Sequence, residues 1–260
     1  MLYWTQNDMK LDVVISPAVL EKHDMQGRVC IVIDVLRATS TITVALAAGA
    51  GAVRPCLSIE EARAAASQDP HSLLGGEEMG TLIPGFDLGN SPFEYMKART
   101  VRGRTICFYT TNGSGAIRNA YERSGRDVYI GSLLNLSAVV SQITQDAALN
   151  PEAITVLCSG RSGKLSAEDM YCAGLVVNGL AVSCREAGRV VEYTDSAAVA
   201  AAFASSKSNK SLEVIRGSEH GRYLESLGFA RDLEFASRID TYDIVPVFNG
   251  SLITRMAPRS

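Results

Sequence analysis

The stretch "RVCIVIDVLRATSTITVALAAGA" (residues 28–50) sets the fold. Five apolar residues, four of them β-branched, follow Arg28 and run into Asp34, and a helical pattern of small and apolar residues begins a few positions later. A short apolar run that meets a charge and turns into a helix is the first half of a parallel β–α unit. The same alternation recurs along the chain. "LDVVIS", "RTICFYT", "DVYIGS" and "AITVLCS" read as strands, while "SIEEARAAAS", "NLSAVVSQITQDAAL" and "SAEDMYCAGLVVNGLAVSCREAG" read as helices, the last stopped by Gly188. The pattern predicts a layered α/β/α fold with a mixed, largely parallel sheet. The chain reads as one catalytic unit over residues 1–260, with lobes of about 1–130 and 131–260 sharing a cleft as a further option. "DSAAVAAAFASSKSNKSL" looks like surface, and a last strand is expected at residues 242–248.

Composition narrows the function. Of 260 residues, 47% are apolar and 20% charged, with a net charge of −3 and no run of five like charges. A broad nucleic-acid surface is not expected. The longest uncharged apolar-rich run, residues 170–184, is too short to span a bilayer, and the first ten residues lack a secretory pattern, so a cytoplasmic protein is expected. The six cysteines form no CxxC pair and sit largely in apolar runs, which suits buried thiols. With three histidines in the chain, a divalent metal would be oxygen-bound, favouring Mg²⁺ or Mn²⁺.

Four segments carry polar residues where strands end. The opening one places Asp34 and Arg37 before Thr39, Ser40 and Thr41. Asp34 suits a metal ligand or a nucleophile, Arg37 an anion clamp, and the hydroxyls a helix cap; a plain Asp34–Arg37 ion pair explains the spacing equally well. A D-x-D phosphoaspartyl motif is ruled out by Leu36. "YTTNGSGAI" (residues 109–117) is either an anion-binding turn at a helix start or an ordinary Asn-Gly turn, and Arg118 replaces the third glycine of a dinucleotide fingerprint. "LCSGRSGKLSAEDMY" (residues 157–171) fails Walker A at Cys158 and Leu165, and fails the Cys-x5-Arg loop at Lys164. It leaves a turn bearing Arg161 and Lys164, then Glu168 and Asp169 in a first helical turn, where acids also suit the helix dipole. "GGEEMGTLIPGFDLGNSPFEY" (residues 75–95) reads as an ordered irregular lid or site loop holding Glu77, Glu78, Asp87 and Asn90, ending in a Ser91–Glu94 capping box. His220 could donate a proton, although a lone histidine near a helix start is more often a cap or surface residue.

These segments together resemble the 2-phosphosulfolactate phosphatase family. The matching stretches are "IDVLRATSTI", "GFDLGNSPFEY", "TTNGSGAI", "GSLLNLSAV", "CSGRSGKLSAEDMYCAGL", "SEHGRYLESLGF" and "DTYDIVPV", in order along nearly the whole chain. The resemblance implies a Mg²⁺-dependent α/β phosphatase acting on (R)-2-phospho-3-sulfolactate, or on a related phosphorylated 2-hydroxy acid. Where the family pattern has arginine and lysine, this chain has Glu78 and Leu82.

Phosphate-ester hydrolysis then assigns candidates. Asp34, Glu77 and Asp87 are expected as metal ligands. Arg37, Asn90, Arg161, the loop Thr110, Thr111, Asn112, Gly113 and Ser114, and the turn Ser159–Gly160 are expected to hold substrate. Glu168 or Asp169 would act as base or reach the metal through water. The sequence leaves open whether Asp34 is itself phosphorylated. A different enzyme on the same scaffold, or a non-catalytic binding protein for a small phosphorylated or sulfonated acid, remains as an alternative. A homodimer is expected from the prevalence of two-fold pairs among enzymes.

Overall fold

Residues 8–23, 25–149 and 153–256 are described in the computed structural model of the chain; residues 1–7, part of the stretch read for a secretory pattern, lie outside that range. The strands are β1 (Asp8–Val14), β2 (Val29–Ile33), β3 (Ala52–Cys56), β4 (Leu73–Glu78), β5 (Thr81–Leu82), β6 (Thr105–Tyr109), β7 (Val128–Gly131), β8 (Ala153–Cys158), β9 (Val190–Tyr193), β10 (Pro246–Phe248) and β11 (Ile253–Arg255). Between them run α1 (Ala38–Ala47), α2 (Ile59–Ser67), α3 (Pro92–Tyr95), α4 (Ala98–Val101), α5 (Gly113–Ser124), α6 (Leu136–Leu149), α7 (Ala167–Glu186), α8 (Asp195–Ser206), α9 (Ser211–Gly217), α10 (Glu219–Ser226) and α11 (Ala230–Ala236).

One sheet takes all eleven strands, in the order β5-β4-β6-β3-β11-β10-β7-β2-β8-β1-β9. Parallel pairing joins β4, β6 and β3 on one side and β7, β2, β8, β1 and β9 on the other. The antiparallel hairpin β10–β11 links the two sets, and β5 folds back on β4. The sheet is therefore mixed and mostly parallel. Strands from either side of residue 130 interleave in it, with β8 between β2 and β1 and the β10–β11 hairpin between β7 and β3.

The period of two along β2 explains the layering. Val29, Ile31 and Ile33 face a core built with α6 and α7, while Cys30 and Val32 face a second core built with α1 and α5. A strand buried on both faces needs an unbroken apolar run, and residues 29–33 are all apolar. All six cysteines are buried and free of disulfides. Among the described residues, no helix is long and apolar enough to cross a membrane.

Two expectations need correction. The segment expected as surface is α8, and it packs Ala197, Ala200, Ala201 and Ala204 onto α7. A Cβ at Gly174 would lie 2.0 Å from the Ala200 carbonyl oxygen, so the small residues allow the two helices to touch backbone to backbone. The segment expected as irregular begins with β4 and the β4–β5 hairpin. Gly75 and Gly76 hide that strand from propensity. A Cβ at Gly75 would strike Tyr95 and Ile106, and one at Gly76, whose φ is +128°, would overlap the Tyr109 carbonyl.

Candidate active site

The ends of β2, β4, β6 and β8 supply the polar residues of one site. Asp34 follows β2 and is held by its own loop. The Thr39 hydroxyl donates to the Asp34 carbonyl and accepts from the Asp34 N–H, while Ser40 donates to the Val35 carbonyl and Thr41 to that of Asn90. The hydroxyl cluster therefore ties the loop to α1 and to the Asn90 segment; none of the three is the N-cap of α1, which is Arg37. The Asp34 carboxyl is buried. Burial, reinforced by the Glu77 charge, pushes its pKa up to about 6, with His220 and Ser159 acting in the opposite direction.

Arg37 does not pair with Asp34. Its Nη1 donates to Asp232 Oδ2 at 2.8 Å and its Nη2 to the Gly80 carbonyl at 2.7 Å, and the guanidinium lies 4.2 Å from the centre of the Phe229 ring. Asp232 also accepts from the Ser91 hydroxyl at 2.8 Å. A buried cation is thus fixed beside the site by α11 and by the turn of the β4–β5 hairpin. The Ser91 hydroxyl serves Asp232, and the Glu94 carboxylate accepts from the Ser91 and Gly89 N–H groups.

Glu77, at the end of β4, accepts from the Thr111 N–H at 2.8 Å and also from the Gly80 N–H and the Thr111 hydroxyl. Asn90 is buried, and its side-chain carbonyl has no hydrogen-bond partner. Asp34, Arg37, Glu77, Asn90, Asn112 and His220 line one narrow cavity. At Gly113, the first residue of α5, a Cβ would stand 2.4 Å from the Ala38 Cβ and 2.5 Å from Asp34 Oδ2. Only glycine lets the helix start approach the Asp34 carboxylate so closely.

Two further cavities adjoin this one. The second is bordered by Met79, Thr111, Asn112, Arg161 and Tyr223, and the third, of about 130 Å³, by Arg161, Lys164, Ser166 and Glu168. Arg161 lies 4.3 Å from the Tyr223 ring centre and 3.4 Å from the Glu219 carboxylate. Glu168 is buried, with one oxygen 3.5 Å from His220 Nδ1 and the other without a partner. Burial raises its pKa, but His220 outweighs that and holds the carboxyl below its usual range.

Several expected residues have other duties. Asp87 is exposed, accepts from the Leu74 N–H at 2.8 Å and does not border these cavities, so its carboxylate braces the hairpin instead of joining Asp34 and Glu77. Thr110 and Ser114 bond each other's side chains and N–H groups at the start of α5. Asp169 accepts from the Val35 and Gly160 N–H groups and the Ser159 hydroxyl, which uses Asp169, Ser159 and Gly160 to pin the β2 and β8 loops together. Burial, with Glu168 and Asp34 nearby, raises the Asp169 pKa well above the carboxylate range. Glu78 and Leu82 are exposed on the hairpin and line none of the three cavities. Sequence reasoning missed Asp232 and underrated His220.

The donor set suits a hard cation. Among the described residues, no three His, Cys, Asp or Glu side chains form a ready-made metal cluster. Two carboxylates and an orphaned amide oxygen at one cavity are nonetheless what Mg²⁺ uses, since it keeps several waters and takes one or two carboxylates plus substrate phosphate.

A family model described as 2-phosphosulpholactate phosphatase matches residues 14–251. The chain belongs to the 2-phosphosulpholactate phosphatase family. A relative from Symbiobacterium thermophilum is 43% identical over 228 residues, covering 86% of this chain and 93% of its own length. One from Carboxydothermus hydrogenoformans is 38% identical over 238 residues, covering 92% of each chain, and one from Pseudothermotoga lettingae is 36% identical over 249 residues, covering 95% and 100%. Each carries the name "Probable 2-phosphosulfolactate phosphatase". In this 2-phosphosulpholactate phosphatase family member, Asp34, Asn90, Asn112, Glu168 and His220 all fall inside the matched region and at the cavities.

Proposed function

We propose that this chain is a Mg²⁺-dependent phosphatase that cleaves 2-phosphosulfolactate, or a closely related phosphorylated 2-hydroxy acid, to the free hydroxy acid and phosphate. The observation that carries the proposal is the convergence of two buried carboxylates, Asp34 and Glu77, with the unpartnered Asn90 side-chain oxygen and a buried arginine at one cavity. Family membership supports the same reaction.

Phosphoryl transfer asks the protein mainly to position the ester and to stabilise charge spreading over the phosphoryl oxygens. Asp34, Glu77 and Asn90 Oδ1 would hold Mg²⁺, which when bound neutralises charge on those oxygens. Arg37 is held by Asp232, Gly80 and Phe229, so its cation loses little freedom when an anion arrives. The start of α5 adds N–H groups and the positive end of the helix dipole next to Asp34, which Gly113 permits. Arg161 and Lys164, at the wider third cavity, suit the acid end of the substrate.

The test is phosphate release from 2-phosphosulfolactate, 2-phospholactate and phosphoglycolate, first with Mg²⁺ and then with EDTA. Release from one of the three that EDTA abolishes is expected. Equal release in EDTA would overturn the metal assignment, and tight binding without release would point to a non-catalytic binding protein.

A further inference from the structure

The three cavities of the site share a single residue, His220. It stands in the first turn of α10, whose start is fixed by Ser218. That hydroxyl accepts from the Gly221 N–H at 2.9 Å and donates to the Ile215 carbonyl at 2.8 Å. A Cβ at Gly221 would stand 1.9 Å from the Ile215 carbonyl oxygen, so glycine allows this tight seating. The ring itself is oriented by Glu168, whose Oε1 lies 3.5 Å from Nδ1. With Nδ1 turned to Glu168, Nε2 is the nitrogen left for substrate.

We propose that His220 is the general acid that protonates the leaving oxygen, and that Glu168 is the positioning residue that orients it. The role rests on the phosphatase reading above. An alkoxide is a poor leaving group, and cations around the phosphoryl oxygens do not protonate it. The other acids of the site have other duties. Asp34 and Glu77 are assigned to the metal in the reading above, and Asp169 holds loop N–H groups. Of the three cavities Glu168 borders the third alone, whereas His220 borders both that cavity and the one containing Asp34 and Arg37.

The step balances without an added reagent. Water attacks phosphorus, and the P–O bond to the hydroxy acid breaks with its electron pair going to the ester oxygen. The imidazolium gives its proton to that oxygen, producing the neutral hydroxyl. The dihydrogen phosphate formed from water returns one proton, which restores the imidazolium.

The experiment compares two esters of equal charge and nearly the same skeleton. 2-Phospholactate leaves as an alkoxide and needs the proton, whereas phosphoenolpyruvate leaves as a stabilised enolate and needs it far less. His220→Gln should lower kcat on 2-phospholactate about 100-fold or more, and at least about tenfold less on phosphoenolpyruvate. Glu168→Gln should lower kcat on 2-phospholactate about tenfold with KM unchanged, show the same preference for the activated ester, and add nothing in the His220→Gln background. His220→Asn, whose amide nitrogen can take the place of Nδ1, is the second variant if the glutamine form does not fold. Equal losses on both esters, an increase in KM with kcat unchanged for Glu168→Gln, or additive losses would overturn the assignment while leaving the phosphatase reading intact. If the unaltered protein releases phosphate from no ester, the phosphatase reading fails and this role fails with it.

Discussion

Replacing Asp232 with asparagine removes the carboxylate bonded to the buried Arg37 guanidinium, and its cost can be worked from the geometry. The Arg37 and Asp232 side chains are both buried, and their closest atoms are 2.8 Å apart. At an effective dielectric of about 20, attraction across that distance is of order 6 kcal/mol, set against the desolvation of both ions. Losing the carboxylate leaves Arg37 charged and compensated by neutral groups, the asparagine oxygen, the Gly80 carbonyl and the Phe229 ring, and weakens the anchor of the Ser91 hydroxyl. Asp232→Asn should therefore cost about 3–5 kcal/mol of folding stability, read as a lower urea midpoint with unchanged slope. The double variant Arg37→Met, Asp232→Leu removes both charges and should recover most of that stability. It should still release no phosphate, because the clamp is gone. An Asp232→Asn protein within about 1 kcal/mol of the unaltered chain would refute the reasoning, since it would mean that Arg37 is not buried and dependent on this partner.

Gly113→Ala should cost about 1–3 kcal/mol and most of the phosphatase activity, because the added methyl meets Ala38 and Asp34 at 2.4 and 2.5 Å; thermal melts and phosphate release check both. In EDTA, the folded protein binds the Asp34 proton more tightly than the unfolded chain, with a pKa of about 6 against an ordinary 3.8. The stability it contributes is complete below pH 3.8 and is lost as pH rises through 6, so the difference in urea stability between the unaltered protein and Asp34→Asn should fall across that window. A difference independent of pH would contradict the burial assigned to Asp34. Glu78→Arg with Leu82→Lys raises the positive potential on the hairpin beside Met79 and should raise kcat/KM for a sulfonated substrate relative to 2-phospholactate. An unchanged ratio would count against charge on this hairpin as a source of specificity.

Much of the architecture was legible because buried strands need uninterrupted apolar runs. β2, β6 and β7 announce themselves that way and β8 does so with one buried threonine, Thr155, while Asp34, Thr110, Ser132 and Ser159 mark where the four stop. β4 was not legible, since its two glycines are there for close packing against Tyr95, Ile106 and Tyr109, contacts that exist only in the folded chain. α8 looked like surface because alanine fits a solvent face and a tight helix contact equally well. Within the site, Asp34, Arg37, Glu77 and Asn90 could be found from strand ends and loop polarity. Asp87 could not be separated from them, because sequence does not tell whether a carboxylate turns inward or braces an N–H on the outside. Asp232 and His220 stood on short helices nearly two hundred residues from Arg37 and Asp34 in the sequence, and only folding reveals what they face.

The central claim is that phosphate is released at the cavity built around Asp34. Its most direct test is the rate of phosphate release from 2-phosphosulfolactate and 2-phospholactate, with Mg²⁺ present, for the unaltered chain beside Asp34→Asn. The account predicts release by the former and a loss of at least about 1000-fold in the latter, which should remain folded. Phosphate release by Asp34→Asn at the unaltered rate would contradict it.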